Sequence, residues 1–510
     1  MKTNPARLAL FALAAVVAVG CSYSAYPHPR AMLEVEPSEA PLPADANRER
    51  YEFISEQPFL AVTDQPLSTF SIDVDTASYA NVRRFLSQGE RPPKDSVRIE
   101  ELLNTFPFAY PAPTDDAPFG VHAEVFTCPW APEHRLLKLG LKAREVELKD
   151  RPRANLVFLL DVSGSMDAPN KLPLLKSAFK LLASRLRADD TVAIVVYAGA
   201  SGLVLPPTRG NDEARIANAL DQLMAGGSTH GSSGIELAYR TAEEHFVKGG
   251  INRVILATDG DWNVGTTSDG ALIRLVEEKA KSGVALTVLG FGMGNYNDSM
   301  LEKLADHGNG NYAYIDNLNE ARRVLVEQAS GTLLTLAKDV KLQVEFNPAR
   351  VGAYRLIGYE DRALRTRDFN DDQKDAGELG AGHNVTALYE LIPAGRAEVP
   401  LVEPLRYQQQ GSAVPSTELA AVKVRFKAPE ATTSQLRRYV VSDEGHSLAQ
   451  ASSEARFAAA VAEFGLLLRD SAFKGKASYE DVLALATPAA NTQARQEFLD
   501  LTKRAAQLAH

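Results

Sequence analysis

The stretch Asn155-Leu156-Val157-Phe158-Leu159-Leu160-Asp161-Val162-Ser163-Gly164-Ser165 decides how the chain is read, because an unbroken apolar run ends abruptly in a carboxylate and two hydroxyls. Apolar runs of this length without polar alternation form strands buried on both faces. The same rhythm continues downstream. Helical spacing marks Lys171 to Leu186, a strand follows from Thr191 to Ala198, then helices from Asp212 to Met224 and Ser233 to Phe246 and a strand from Arg253 to Thr258. A helix from Gly270 to Ser282, a strand from Ala285 to Phe291, a helix from Ser299 to His307, a strand from Tyr312 to Ile315 and a helix from Leu318 to Ala329 complete the series. Buried strands alternating with amphipathic helices predict an α/β domain over 151–335, a doubly wound parallel sheet of Rossmann-like layering. In such sheets ligands bind beyond the carboxyl ends of the strands.

Three groups fall at that edge: Asp161-Val162-Ser163-Gly164-Ser165, the loop Gly226-Gly227-Ser228-Thr229, and Thr258-Asp259-Gly260. Short hydroxyl and carboxylate side chains on loops at strand ends offer the oxygen ligands that hard divalent cations take. The pattern D-x-S-x-S, a distal threonine and a distal T-D-G, in this order on this series of elements, resembles the metal-ion-dependent adhesion site of von Willebrand factor type A (VWA) domains. The resemblance implies that Ser163 and Ser165 ligate a metal directly, and that Thr229, Asp161 and Asp259 hold it directly or through water. It implies Mg²⁺, with Mn²⁺ or Ca²⁺ as alternatives, and an acidic side chain from a partner protein completing the shell. In some relatives partner binding shifts a loop or the last helix. Trp262 and His230, beside this site in sequence, are candidate partner contacts, although an aromatic there can also pack under its loop and a lone histidine commonly plays no part.

The resemblance extends outward. Ser68-Thr69-Phe70-Ser71-Ile72-Asp73-Val74-Asp75-Thr76-Ala77-Ser78-Tyr79 and Asp375-Ala376-Gly377-Glu378-Leu379-Gly380-Ala381-Gly382-His383 are similar to segments flanking the A domain in a family of bacterial VWA lipoproteins. Within an N-terminal flanking region over 66–118, a strand from Thr69 to Val74 and helices from Ser78 to Ser87 and Ser96 to Phe106 are expected. Strands over 119–150 are expected to pair with a β-rich region over 336–445, so that the α/β domain is inserted in, or flanked by, a β-sandwich. Short helices close the chain over 446–510. Asp73 and Asp75 suit capping, turn formation, Ca²⁺ binding or contact with the A domain. Asp371, Asp372, Asp375, Glu378 and His383 make an acidic, glycine-rich loop that reads as a solvated turn or as a second cation site.

The start of the chain carries Lys2 and Arg7, the apolar run Leu8 to Gly20, and then Cys21. A charged head before an apolar stretch too short to span a bilayer reads as an export signal. Ala18-Val19-Gly20-Cys21 resembles the bacterial lipobox, which implies a signal peptide over 1–20, lipidation of Cys21 and anchoring to the cell envelope. A plain secretory peptide is the alternative. Ser22 after the cysteine points to the outer rather than the inner membrane by the rule of such lipoproteins. Residues 21–65, rich in Pro, Ala, Ser and Glu, read as a disordered tether.

With 55 basic and 65 acidic residues and a net charge of -10, nucleic acid is an unsuitable main partner. Two cysteines exclude a disulfide scaffold and a Cys-rich zinc module. No P-loop, H-E-x-x-H or G-x-S-x-G pattern is present. The expectation is therefore an envelope lipoprotein that binds a partner through its metal, not an enzyme. The alternatives are an envelope scaffold in which the metal is structural and, behind it, a metal-dependent hydrolase.

Overall fold

The computed structural model describes residues 49–509 apart from 148, 228–230, 261–267, 295 and 401–415. Residues 49–65 correct the expected extent of the tether. They dock on folded elements through backbone bonds, which need no apolar periodicity to form: Arg50 N donates to Tyr296 O at 3.0 Å, and β1 (Leu60–Ala61) pairs with Tyr354 and Ala353. The chain then runs through β2 (Leu67–Ser71), α1 (Ala77–Ser87), α2 (Ile99–Asn104), β3 (Phe119–Thr127) and β4 (Arg135–Ala143).

The α/β domain follows as β5 (Ala154–Asp161), α3 (Leu172–Ala183), β6 (Thr191–Tyr197), β7 (Ser201–Arg209), α4 (Glu213–Asp221), α5 (Gly231–Glu244), β8 (Ile251–Thr258), α6 (Asp269–Ala280), β9 (Ala285–Phe291), α7 (Asp298–His307), β10 (Tyr312–Ile315), α8 (Leu318–Arg322) and α9 (Ala329–Leu333). Its sheet has the order β10-β9-β8-β5-β6-β7. Strand β5 explains the layering: Leu156, Phe158 and Leu160 pack in one core with Leu175 and Phe179 of α3, while Val157 and Leu159 pack in another with Ile235 and Ala238 of α5. Alternate residues of one strand thus bury opposite faces, each large side chain contributing about 1.5–3 kcal/mol. Strand β7 departs from the expected all-parallel sheet. It pairs antiparallel with β6 at the edge, where Pro206 and Pro207 interrupt no central ladder. The expected final helix is also broken, with a π-turn at Arg323–Glu327 between α8 and α9.

Beyond it come β11 (Thr335–Phe346), β12 (Val351–Ile357), β13 (Gly377–Gly380), β14 (Asn384–Pro393), β15 (Glu418–Lys427), β16 (Gln435–Ser442), α10 (Ser453–Arg469), α11 (Tyr479–Ala486) and α12 (Gln493–Leu508). Two antiparallel sheets, β1-β12-β14-β4-β3 and β13-β11-β15-β16 with β2 on β11, enclose a core that includes Phe70, Leu137, Leu139, Leu342, Tyr389 and Val422. The α/β domain is inserted between β4 and β11 of this sandwich. Helices from both ends of the chain share a further core, in which Phe106 meets Phe457 and Phe498 edge to face at 5.0 and 5.7 Å. Among the described residues no helix is long and apolar enough to cross a membrane.

Charges lock the N-terminal segment to the inserted domain. Arg98, 3% exposed, pairs with Asp298 at 2.5 Å and with Glu101, and Arg83 binds Asp316 and Glu320, each at 2.9 Å. Asp73 and Asp75 join this network: Asp73 accepts from Asp75 N at 3.0 Å, and Asp75 accepts from Tyr312 N of β10 at 2.8 Å. Turn formation and contact with the inserted domain therefore coexist in this pair.

Candidate metal centre

Strands β5 and β8 pair in parallel with Leu160 opposite Ala257, so Asp161 and Asp259 leave the carboxyl edge of the sheet side by side. Both are fully buried. The loop after Asp161 folds back on its own carboxylate, whose Oδ1 accepts from Ser163 N at 2.9 Å. Its Oδ2 accepts from the hydroxyls of Thr258 at 2.8 Å and Tyr197 at 3.3 Å. Ser163 and Ser165 hydroxyls lie 3.0 Å apart. Two backbone bonds lace the neighbouring loop to this one, Gly226 N to Val162 O at 2.8 Å and Gly164 N to Gly227 O at 3.0 Å.

The structure therefore brings Asp161, Ser163, Ser165 and Asp259 to one edge. Thr229, His230, Trp262 and Cys21 lie outside the described residues. Sequence reasoning missed two supporting groups, Tyr197 and Lys171, and held Thr258 only as part of the T-D-G pattern. Tyr197 and Thr258 orient Asp161, and the Lys171 ammonium reaches Asp259 Oδ2 at 2.8 Å from the start of α3. Gly292, with φ +82, makes room for it: a Cβ there would lie 2.3 Å from Lys171 Cε. Nothing in the local sequence around Lys171 signals this contact, because it depends on how α3 is set against the end of β9.

Electrostatics bear on what the arrangement can hold. Burial, and next the neighbouring Asp259, raise the Asp161 carboxyl from 3.8 to about 6. Two buried carboxylates thus repel despite Lys171, and they stand with two hydroxyls in a donor set made only of oxygen. That is the chemistry of a hard divalent cation, whose charge relieves the repulsion. The residues fit such an ion.

The comparisons follow this geometry. The family described as von Willebrand factor type A domain matches residues 155–328, one described as von Willebrand factor matches 45–138, and one described as uncharacterized protein YfbK, C-terminal, matches 331–508. The chain is 44% identical over 450 residues to uncharacterized protein YfbK of Escherichia coli, covering 86% of this chain and 77% of that protein. It is 30% identical over 206 residues to uncharacterized protein sll0103 of Synechocystis, covering 40% of this chain and 48% of that one. Among solved structures, a von Willebrand factor type A protein from Catenulispora acidiphila aligns with 77% of this chain and 91% of its own at 15% identity and a TM-score of 0.42. A single relative spanning the flanks as well as the inserted domain means that the three matches form one inherited unit, and the chain belongs to the YfbK family of VWA-domain proteins.

Proposed function

We propose that the protein is an exported lipoprotein, anchored through Cys21 to the bacterial envelope and favouring the outer membrane, that captures a protein partner through a metal-dependent adhesion site. Asp161, Ser163, Ser165, Thr229 and Asp259 would hold the ion, Mg²⁺ first and Mn²⁺ or Ca²⁺ as substitutes. When bound, it supplies a positive centre that an acidic side chain of the partner can complete. The rest of the work falls to the chain itself. Thr258 and Tyr197 fix the Asp161 carboxylate, and the loop bonds at Gly164 and Gly226 hold the hydroxyls where β5 ends. The observation that carries the reading is the convergence of two buried carboxylates and two hydroxyls, from separate strands, on one edge of the sheet. Those groups leave no obvious base for hydrolysis, since both carboxylates are engaged by protein donors. Trp262 and His230 remain candidate partner contacts.

The test is affinity capture from envelope extracts with the chain starting after Cys21, in Mg²⁺, in EDTA and as Asp161→Ala, each sample checked by a melting curve. A partner held only in Mg²⁺ and only by the wild-type aspartate supports the proposal. Anchoring is tested separately by palmitate labelling, expected in the wild type and lost in Cys21→Ser. A second reading, an envelope scaffold whose metal only stabilises the inserted domain, draws on the buried ion pairs that tie that domain to its flanks. It predicts the same partners in EDTA.

A further inference from the structure

A second group of carboxylates lies in the sandwich, away from the strand ends that carry Asp161 and Asp259. Ligand oxygens of Asp339, Asp375 and Glu378 all fall within 4.8 Å of one another. They come from two places in the chain. Asp339 sits in β11 where the ladders to β13 and β15 lose register, and it takes φ +52, while Asp375 and Glu378 precede and open β13. A bulge re-aims a side chain out of the ladder, and here it turns Asp339 toward the other two.

Glu378 is the telling member. It is 8% exposed, yet its Oε2 has no hydrogen-bond partner. A buried carboxylate oxygen without a donor is costly, and native proteins pair such groups with a donor, a cation or a metal. Of the nearby cations, Lys427 alone forms an ion pair with the cluster among the described residues, and Arg253, whose Nε has no hydrogen-bond partner, forms none with it. Lys427 pairs with Asp339 Oδ2 at 2.7 Å and donates to Asp372 O at 2.6 Å, and Arg253 donates to Thr287 at 2.6 Å. Lys338 and Arg253 feel the charge of Glu378 without forming an ion pair with it. Burial, then the neighbouring Asp339 and Asp375, raise the Glu378 carboxyl well above its usual range, a penalty on its ionised form that a divalent ion would relieve.

The acidic loop singled out in the sequence is therefore composed differently in space. Asp372 is tied to Ser434 N at 3.3 Å, Asp371 bonds Gln373 N at 2.8 Å, and His383, half-buried and with its pKa lowered to about 4 by desolvation and next by Arg253, accepts from Gly380 N at 3.3 Å. Asp339, distant in sequence, takes their place.

We propose that Asp339, Asp375 and Glu378 form a second hard-cation site, selective for Ca²⁺, that pins the β11 bulge to the segment leading into β13. A spread within 4.8 Å fits inside the coordination sphere of Ca²⁺, whose bonds are about 2.4 Å and whose six to eight oxygens accept irregular geometry. Mg²⁺, which demands a regular octahedron and keeps its waters, suits the cluster less. The site is separate from the one proposed for partner capture, and its test does not depend on that reading.

The experiment is calorimetric titration of the full chain in detergent with Ca²⁺ alone, in the Asp161→Ala background so that the strand-end site is silenced. One Ca²⁺ bound per chain, with a rise in melting temperature, is expected. Adding Glu378→Gln, or Asp375→Asn at the exposed rim where folding is least at risk, is expected to weaken that binding about ten-fold or more and to remove the thermal shift. Absence of Ca²⁺ binding in the Asp161→Ala chain overturns the proposal. So does binding that a folded Asp375→Asn variant leaves unchanged.

Discussion

Replacing Asp161 with Asn separates the metal-site reading from a purely structural role for that carboxylate, because the two predict opposite signs. In the metal-free fold the Asp161 carboxyl is raised from 3.8 to about 6 by burial and by Asp259. A carboxyl raised in the folded state is protonated there before it is protonated in the unfolded chain. Its contribution to stability is therefore most favourable below pH 3.8, declines as pH rises toward about 6, and stays unfavourable at pH 7. At about 1.36 kcal/mol per unit the ionised form costs about 3 kcal/mol. Asn carries no charge and keeps the acceptor for Ser163 N, but it reverses the polarity of the atom facing Thr258 and Tyr197, at about 1 kcal/mol. The net gain of about 2 kcal/mol in EDTA corresponds to a melting temperature about 4–8 °C higher for a domain of this size. Mg²⁺ at a hundred times its Kd adds about 2.7 kcal/mol to the wild type and nothing to the variant. Thermal unfolding of both chains in EDTA and in Mg²⁺ reads all four states. An Asn variant that melts below the wild type in EDTA, or that Mg²⁺ stabilises equally, refutes the reasoning.

Lys171→Met removes the cation 2.8 Å from Asp259, so the chain in EDTA is destabilised and Mg²⁺ recovers part of the loss, with a tighter Kd by titration calorimetry because the tethered ammonium no longer competes. Arg98→Met leaves Asp298 and Glu101 buried without their cation and lowers stability by about 3–5 kcal/mol, read as an earlier urea transition and faster proteolysis ahead of β3. Cys128 is fully buried and its thiol is raised by burial, so in the native chain it resists a thiol-reactive dye and reacts only on unfolding.

The α/β core was legible because its signal is local and redundant. An unbroken apolar run such as Leu156 to Leu160 has one comfortable environment, and each strand repeated the message at nearly the observed boundaries. Strand β7 escaped because Pro206 and Pro207 speak against a ladder, an objection that an edge position removes. Strand β13 escaped because Gly377 to Gly380 carries one apolar side chain, Leu379, and pairs on the strength of its backbone. At the strand-end site the residues that approach along the sheet edge were visible as a spaced pattern. Those that arrive from the side were not: Lys171 is fixed by packing, Tyr197 by the register of β6, and Asp339 by a bulge in a strand far from the loop it completes. Sequence spacing records neighbours along an element, whereas these contacts are set by how elements cross.

The flanks also bear on how the inserted domain can respond to a ligand. In relatives that move their last helix, the helix must be free to slide. Here it is held at both ends. Arg83 from α1 binds Asp316 and Glu320 where α8 begins, and Arg323 of the π-turn donates to Thr76 at 2.9 Å. At the far end Gly331 of α9 presses against β13 so closely that a Cβ on Gly380 would lie 2.0 Å from Gly331 O. A slide of one helical turn would break buried charge-assisted bonds at the first end and force backbone through backbone at the second. Such bonds are worth about 1.5–3 kcal/mol each, so a ligand would need a differential affinity of several kcal/mol to drive the change. The clamp therefore favours a domain that presents this sheet edge on a rigid support, and no flanking residue intrudes among the described contacts of Asp161 and Ser163.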